Sequence, residues 1–130
     1  MTDDLDTGTL QFAELCFEAA RNGGTEQLAG MLDGGLSANL ATAGRDTLLI
    51  LAAYHAHPHT VRLLLERGAD TSRVNDRGQT ALSAAVFRQS AETVNVLLDA
   101  GADPTLGQPS AHEVATFFQL PAMAALLRGE

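Results

Sequence analysis

The chain repeats itself with a period of 33 residues, and a period of that length restricts the fold to stacked copies of one supersecondary unit. Thr47, Leu49 and Ala52 recur as Thr80, Leu82 and Ala85. Thr60-Val61 recurs as Thr93-Val94, Leu64-Leu65 as Leu97-Leu98, and Gly68-Ala69-Asp70 as Gly101-Ala102-Asp103. The register runs backwards, placing Ala19-Ala20 on Ala52-Ala53, Leu28 on Val61, Met31-Leu32 on Leu64-Leu65 and Gly35 on Gly68. It runs forwards with deletions, placing Ser110-Ala111 on Thr80-Ala81 and Met123, Leu126 and Leu127 on Val94, Leu97 and Leu98. The chain therefore divides into an acidic N-terminal tail at 1–9, open to disorder, and a single repeat domain at 10–130. The units of that domain fall at about 10–42, 43–75, 76–106 and 107–130.

Each unit reads as two short helices and a loop. Thr47 and Thr80 precede apolar runs, where a hydroxyl can accept a free helix N–H. Ala52-Ala53 and Ala84-Ala85 allow close approach of a neighbouring helix. Pro58 suits the first turn of a second helix, where its missing N–H costs nothing. Val61, Leu64 and Leu65 then recur at spacings of three and four, an apolar stripe at helical period. Gly68 and Gly101 supply the left-handed conformation that ends a helix. The predicted helices are 10–21, 25–33, 47–55, 58–66, 80–88, 91–99, 110–118 and 121–128. Pairs this short cannot bury their stripes alone, so the units must stack into one continuous core. The end units then face solvent on one side: Glu14 replaces the capping Thr, Glu18 stands in place of Leu51, and His112 stands in place of Leu49 and Leu82.

Composition agrees with an all-α fold. The hydrophobic share is 45% while aromatics make only 5%, so the apolar content is mostly Ala and Leu, both strong helix formers. The net charge of −8 argues against nucleic acid and anionic membranes, which need clustered cations. A lone cysteine, Cys16, excludes an intrachain disulfide and favours a reducing compartment. No apolar run reaches a membrane-spanning length, and Met1-Thr2-Asp3-Asp4-Leu5-Asp6 is acidic where a secretory signal would be basic. The expectation is a cytoplasmic protein with no membrane association.

These residues resemble the ankyrin repeat, whose pattern runs from a glycine loop through Thr-Pro-Leu-His and paired Ala to Val, Leu-Leu and Gly-Ala-Asp. Here it stands as Gly78-Gln79-Thr80-Ala81-Leu82-Ser83-Ala84-Ala85 onwards to Gly101-Ala102-Asp103, and as Thr47-Leu48-Leu49-Ile50-Leu51-Ala52-Ala53 through to Gly68-Ala69-Asp70. The resemblance covers nearly all the chain from about residue 10 and implies an all-α ankyrin-repeat solenoid of four helix-turn-helix units joined by hairpin-like loops. Leu48 and Ala81 replace the family's Pro, and Ile50 and Ser83 its His. That His ties neighbouring loops, so its loss implies weaker bracing. Ala56 and Gln89 stand where the family prefers Gly between helices. Gly101 to Ser110 spans nine residues against twelve from Gly68 to Thr80, which implies a shortened third loop.

In the family the loops project as fingers beside the first helices, and partners bind on the resulting concave face. Carried over by position, the fingers offer Ala43, Gly44 and Asp46, then Val74, Asp76, Arg77 and Gln79. The inner-helix ends offer Arg21 and Asn22, Tyr54 and His55, Phe87 and Arg88, and Phe117 with Phe118. Tyr54, Phe87 and Phe117 fall at equivalent places, and aromatics with Arg are usual interface anchors. The row serves equally as packing: Phe117 and Phe118 can seal the last unit, and Tyr54 can act as a semi-buried spacer.

Other motifs carry less. His55, His57 and His59 alternate, but across a helix end and Pro58, with no Cys or carboxylate cluster beside them, so no metal site is assigned. Cys16 aligns with the core positions Leu49 and Leu82 and acts as an apolar filler. Gly23-Gly24 and Gly34-Gly35 are helix ends, since no Lys-Ser or Lys-Thr follows them. The expected function is a protein–protein interaction module, monomeric when unbound, without cofactor or catalytic residues. The alternative is a dedicated accessory or regulatory subunit of an enzyme.

Overall fold

The computed structural model describes residues 2–130, and for residues 2–7 and Thr9 the backbone alone. Among the described residues there are eight α-helices: α1 (Thr2–Asn22), α2 (Thr25–Asp33), α3 (Leu48–Tyr54), α4 (Pro58–Glu66), α5 (Ala81–Phe87), α6 (Ala91–Asp99), α7 (Ala111–Phe117) and α8 (Pro121–Leu127). The odd-numbered helices pack in one layer in the order α1, α3, α5, α7. The even-numbered helices form the second layer, α2 to α4 to α6 to α8, each antiparallel partner joined to its own unit by a tight turn. This is the all-α solenoid that the repeat implies. No helix among the described residues is long and apolar enough to cross a membrane.

The helix starts follow the capping residues. Thr47 Oγ1 accepts the Ile50 N–H at 3.0 Å. Thr80 Oγ1 accepts from Ser83 N–H while Ser83 Oγ accepts from Thr80 N–H, at 3.0 and 2.9 Å. Ser110 and Glu113 form the same reciprocal box. Ser83, standing where the family has His, thus caps α5 reciprocally. Pro58 and Pro121 open α4 and α8, where no N–H is missed.

The helix ends are closed by one device used repeatedly. After α4, Ala69 N–H bonds the Leu64 carbonyl and Gly68 N–H the Leu65 carbonyl; after α6, Ala102 and Gly101 do the same with Leu97 and Leu98. Gly68 and Gly101 have φ of 90° and 89°, the left-handed stop expected of them. The inner helices close identically, with Ser90 N–H on the Ala85 carbonyl and His57 N–H on the Ala52 carbonyl. There the left-handed residue is not glycine: Ala56 has φ 59°, Gln89 58° and Gln119 55°.

The core is the repeat's own. Leu48 to Ala53 of α3 and Ala81 to Val86 of α5 are buried along their whole length. Leu64 and Leu97 are fully buried, as the stripe requires. Cys16 is buried with its Sγ 3.3 Å from Met31 Sδ. At the ends, Glu14 and Glu18 are exposed and His112 is half-buried, the solvent faces of the terminal units. The first helix departs from expectation by reaching back to Thr2 instead of starting at 10, so backbone at 2–9 is helical. The side chains of Asp3, Asp4 and Asp6, in the tail expected to be open to disorder, lie outside what is described.

A left-handed backbone costs an L-residue about 1–2 kcal/mol, part of which glycine's own flexibility offsets. Ala56→Gly and Gln89→Gly should each stabilise the stack by about 0.5–1 kcal/mol. Urea unfolding checks this, and a lowered midpoint for both variants would contradict it.

Candidate functional site

Because α3 and α5 are buried from their caps Thr47 and Thr80 through Ala53 and Val86, their accessible side chains lie at the C-terminal end, and the fingers stand beyond the buried N-terminal end. Seven residues at about 1.5 Å each separate those ends by roughly 10 Å. The residues expected to bind a partner accordingly fall into two groups, the fingers at one end and the helix termini at the other.

The finger residues are engaged with one another. Asp46 accepts from Asn75 Nδ2 at 2.7 Å and from Arg77 at 3.4 Å. Asp76 pairs with Arg45 at 2.8 Å, and its N–H bonds the Gly44 carbonyl. Gln79 Oε1 accepts from Asn75 Nδ2, and Gln79 N–H and Arg77 N–H both donate to Asn75 Oδ1. Asp46, Asp76 and Arg77 therefore pair between successive fingers, while Gln79 closes its own finger on Asn75. This corrects the expectation of weak loop bracing: Asn75 replaces the missing His in that task. The shortened third loop still joins the series, since Gln108 N–H donates to the Gly78 carbonyl at 2.9 Å. Gly78 has φ 82°, and a Cβ there would collide with the Gln108 carbonyl oxygen. Ala43 and Val74 are exposed, Val74 at 37%.

Asn75 is the residue sequence reading missed. It is 2% exposed and makes four side-chain hydrogen bonds. The available signal was its place at the head of Asn75-Asp76-Arg77-Gly78, a turn pattern in which Asn bonds its own downstream backbone.

The helix termini form a continuous row. The Tyr54 and Phe87 rings are stacked, centroids 6.4 Å apart and planes at 8°. Phe87 meets Phe118 edge-on at 5.4 Å, and Phe117 meets Phe118 at 4.9 Å. The ring that touches Phe87 is thus Phe118, not the positionally equivalent Phe117, which is 78% exposed. A common geometry accounts for this. The residue just past each inner helix lies back over the last helical residue of the unit before: Arg88 over Tyr54, with Cζ 5.7 Å from the ring centroid, and Phe118 over Phe87. Phe87 and Phe118 are 43% and 48% exposed, whereas Tyr54 is half-buried.

Two carbonyls left open at helix ends are closed from the next unit. His57 Nε2–H donates to the Arg21 carbonyl at 2.8 Å, and Arg88 Nη1 donates to the Tyr54 carbonyl at 3.0 Å. Arg21 and Tyr54 are one repeat apart. The alternating histidines therefore separate in role: His55 lies edge-on to Tyr54, His57 ties two units, and His59 sits near Arg62. Among the described residues no three His, Cys, Asp or Glu are grouped to hold a metal. Arg21 is half-buried and paired with Glu14 at 3.3 Å, while Asn22 is exposed.

Electrostatics distinguish the two ends. Burial pushes the Cys16 thiol above its ordinary range, away from a nucleophilic thiolate. Asp70 and Asp103, one repeat apart, are held below the usual carboxylate range by hydrogen bonds from Ser72 and Thr105 respectively. His55 is held below 6.5, first by burial and then by the positive charges of His57, Arg88 and Arg21.

The last shift predicts a pH effect. The unfolded chain takes up a proton at His55 more readily than the folded one, so this contribution is intact above pH 6.5 and is lost as pH falls below it. The urea midpoint of His55→Gln should therefore fall less than wild type between pH 7.5 and 5.5; equal falls would count against it. Asn75→Ala should cost about 2–3 kcal/mol by stranding the finger groups it joins, measured the same way. A loss within error of zero would remove Asn75 as the brace.

Comparison with known proteins agrees with this geometry. The family described as ankyrin repeats (3 copies) matches residues 16–108. A protein of Pseudomonas aeruginosa named for its ankyrin repeats is 43% identical over 67 residues, covering 48% of this chain and 39% of its own length. A human protein named for ankyrin repeats and a MYND domain is 43% identical over 65 residues, covering 49% of this chain and 7% of its own length. The matches thus span well under two thirds of either relative. With the family matched over most of its residues and its stacked helical hairpins in place, the chain belongs to the ankyrin-repeat family.

Proposed function

We propose that this chain captures a partner protein on its concave side, with the helix-end row of Tyr54, Phe87, Arg88 and Phe118 as the principal contact. Ankyrin repeats are in general non-catalytic protein–protein interaction modules. The observation that carries the narrower reading is the row itself. Rings in contact, one pair stacked and the next edge-on, continue across three units, partly exposed, with a guanidinium held over one of them. Rigid aromatics beside Arg offer large contact area at low entropic cost. The fingers, whose charges pair among themselves, contribute shape and the exposed Val74.

The reading excludes nucleic acid as the partner. All eight cations are Arg, and six of them pair with carboxylates of the chain. It takes the unbound chain as a cytoplasmic monomer with its repeat domain at 10–130. The lone thiol of Cys16 supports a reducing compartment.

The test is affinity capture from native host extract with wild type and with Tyr54→Ala/Phe87→Ala, read by mass spectrometry. Loss of two anchors should deplete the retained partner more than about tenfold. Far-UV circular dichroism should show unchanged helicity, since the helices are buried through Ala53 and Val86. Equal yields from both proteins would remove the row from the contact.

A further inference from the structure

We propose that the occupant of this row is an acidic segment of the partner, running extended across the units, with carboxylates seated on Arg21, His55 and Arg88 and apolar side chains on Tyr54, Phe87 and Phe118. The inference rests on the capture reading above and names the chemistry of what is captured.

The first ground is the placement of charge. The chain carries −8 overall, yet the ends of α1 and α5 present the cations Arg21 and Arg88, with His55 at the end of α3 between them as an N–H donor. The charges that face His55 are positive, from His57, Arg88 and Arg21. Among the described residues the one ion pair made within this series is Arg21 with Glu14, an exposed contact that water and a competing carboxylate can displace.

The second ground is the state of Arg88. Among the described residues, Arg88 and Arg62 are the two arginines with no carboxylate partner, and Arg62 lies on the outer helix α4. Arg88 is held in place all the same. Its Nη1 donates to the Tyr54 carbonyl and its guanidinium lies over the Tyr54 ring. That leaves further N–H donors of a fixed fork for an incoming carboxylate. A cation ordered in advance loses little entropy on pairing.

The third ground is spacing. Packed neighbouring helices lie about 8–10 Å apart, so the N–H donors Arg21, His55 and Arg88 recur across the strip at about that interval, with arginine at its first and third places. A chain extended as polyproline II rises about 3.1 Å per residue with three residues per turn. Carboxylates at every third position then share one face and match the interval, and the residues flanking them reach the rings. Basic segments meet repulsion along the same strip, and wholly acidic surfaces meet the acidic remainder of the protein. At physiological salt that remainder is screened beyond about 8 Å, so a short acidic segment in contact with the strip feels mainly the cations.

The experiment uses the full chain and three fluorescein-labelled synthetic peptides in fluorescence polarisation. The first repeats Glu-Phe-Ser four times, the second replaces every Glu by Gln, and the third replaces every Glu by Lys. The Glu peptide should bind at least about tenfold tighter than the Gln peptide, with the Lys peptide weakest. Arg88→Gln should weaken the Glu peptide about fivefold or more and the Gln peptide distinctly less, and Arg88→Lys, which keeps the charge without the fork, should recover only part of the loss. Thermal melts of both variants check that the stack is intact. Equal binding of Glu and Gln peptides, each abolished by Tyr54→Ala/Phe87→Ala, would overturn the acidic occupant while leaving the row as the contact. Preference for the Lys peptide, or no binding of any peptide, would overturn the inference; partner capture from extract is scored separately by the aromatic double variant.

Discussion

Helices of seven to nine residues are too short to persist alone in water, and this dependence of each hairpin on its neighbours governs the molecule. The inner helices α3 and α5 meet it by burying every residue up to their final turn. Leu48, Leu49, Ala52 and Ala53 touch one neighbour or another, so no face of the helix is left over for solvent. Such a helix has no free side with which to bind anything. The accessible side chains lie where the helix stops. The same burial that holds the stack together thus decides where its accessible chemistry can be.

The units are joined by polar ties as well as by apolar contact. On the outer layer Thr25 and Thr60 share a hydrogen bond at 2.7 Å, and Arg67 pairs with Asp33. On the loop side, Asp70 N–H donates to Asn39 Oδ1, and Asn75 spans from its own turn to Asp46. At the helix ends His57 and Arg88 reach back to carbonyls of the unit before. Among the described residues no buried side-chain nitrogen or oxygen lacks a hydrogen-bond partner. A buried polar group without one is costly, so these ties fix the stacking register more than they add net stability.

Much of the scaffold was legible because its signals are local. Thr47 and Thr80 announce helix starts, Gly68 and Gly101 announce stops, and Leu64 and Leu97 fall inside at helical spacing. What escaped reading depends on how far one unit is rotated and shifted on the next. Arg45 and Asp76, or Asp46 and Arg77, are 31 residues apart, and nothing in either loop names its partner. Asn75 hides among polar loop residues whose outward members look the same in composition. Phe117 holds the position equivalent to Phe87, but the ring on Phe87 belongs to Phe118, because the overlap is set by the residue after the helix. The start of α1 escaped for another reason: the repeat register ends near residue 10, and the helix does not.

The backward lean of each terminal residue gives the stack a direction. Arg88 roofs Tyr54 and Phe118 roofs Phe87, like slates laid so that each later course covers the head of the earlier one. Nothing beyond α8 in the described chain covers Phe117 in turn. Fraying from the last hairpin would uncover Phe87 before Tyr54, in strict sequence. Loosening at the first hairpin would leave Tyr54 and Phe87 under their covers. The two ends of an almost regular array are therefore unequal in what they guard.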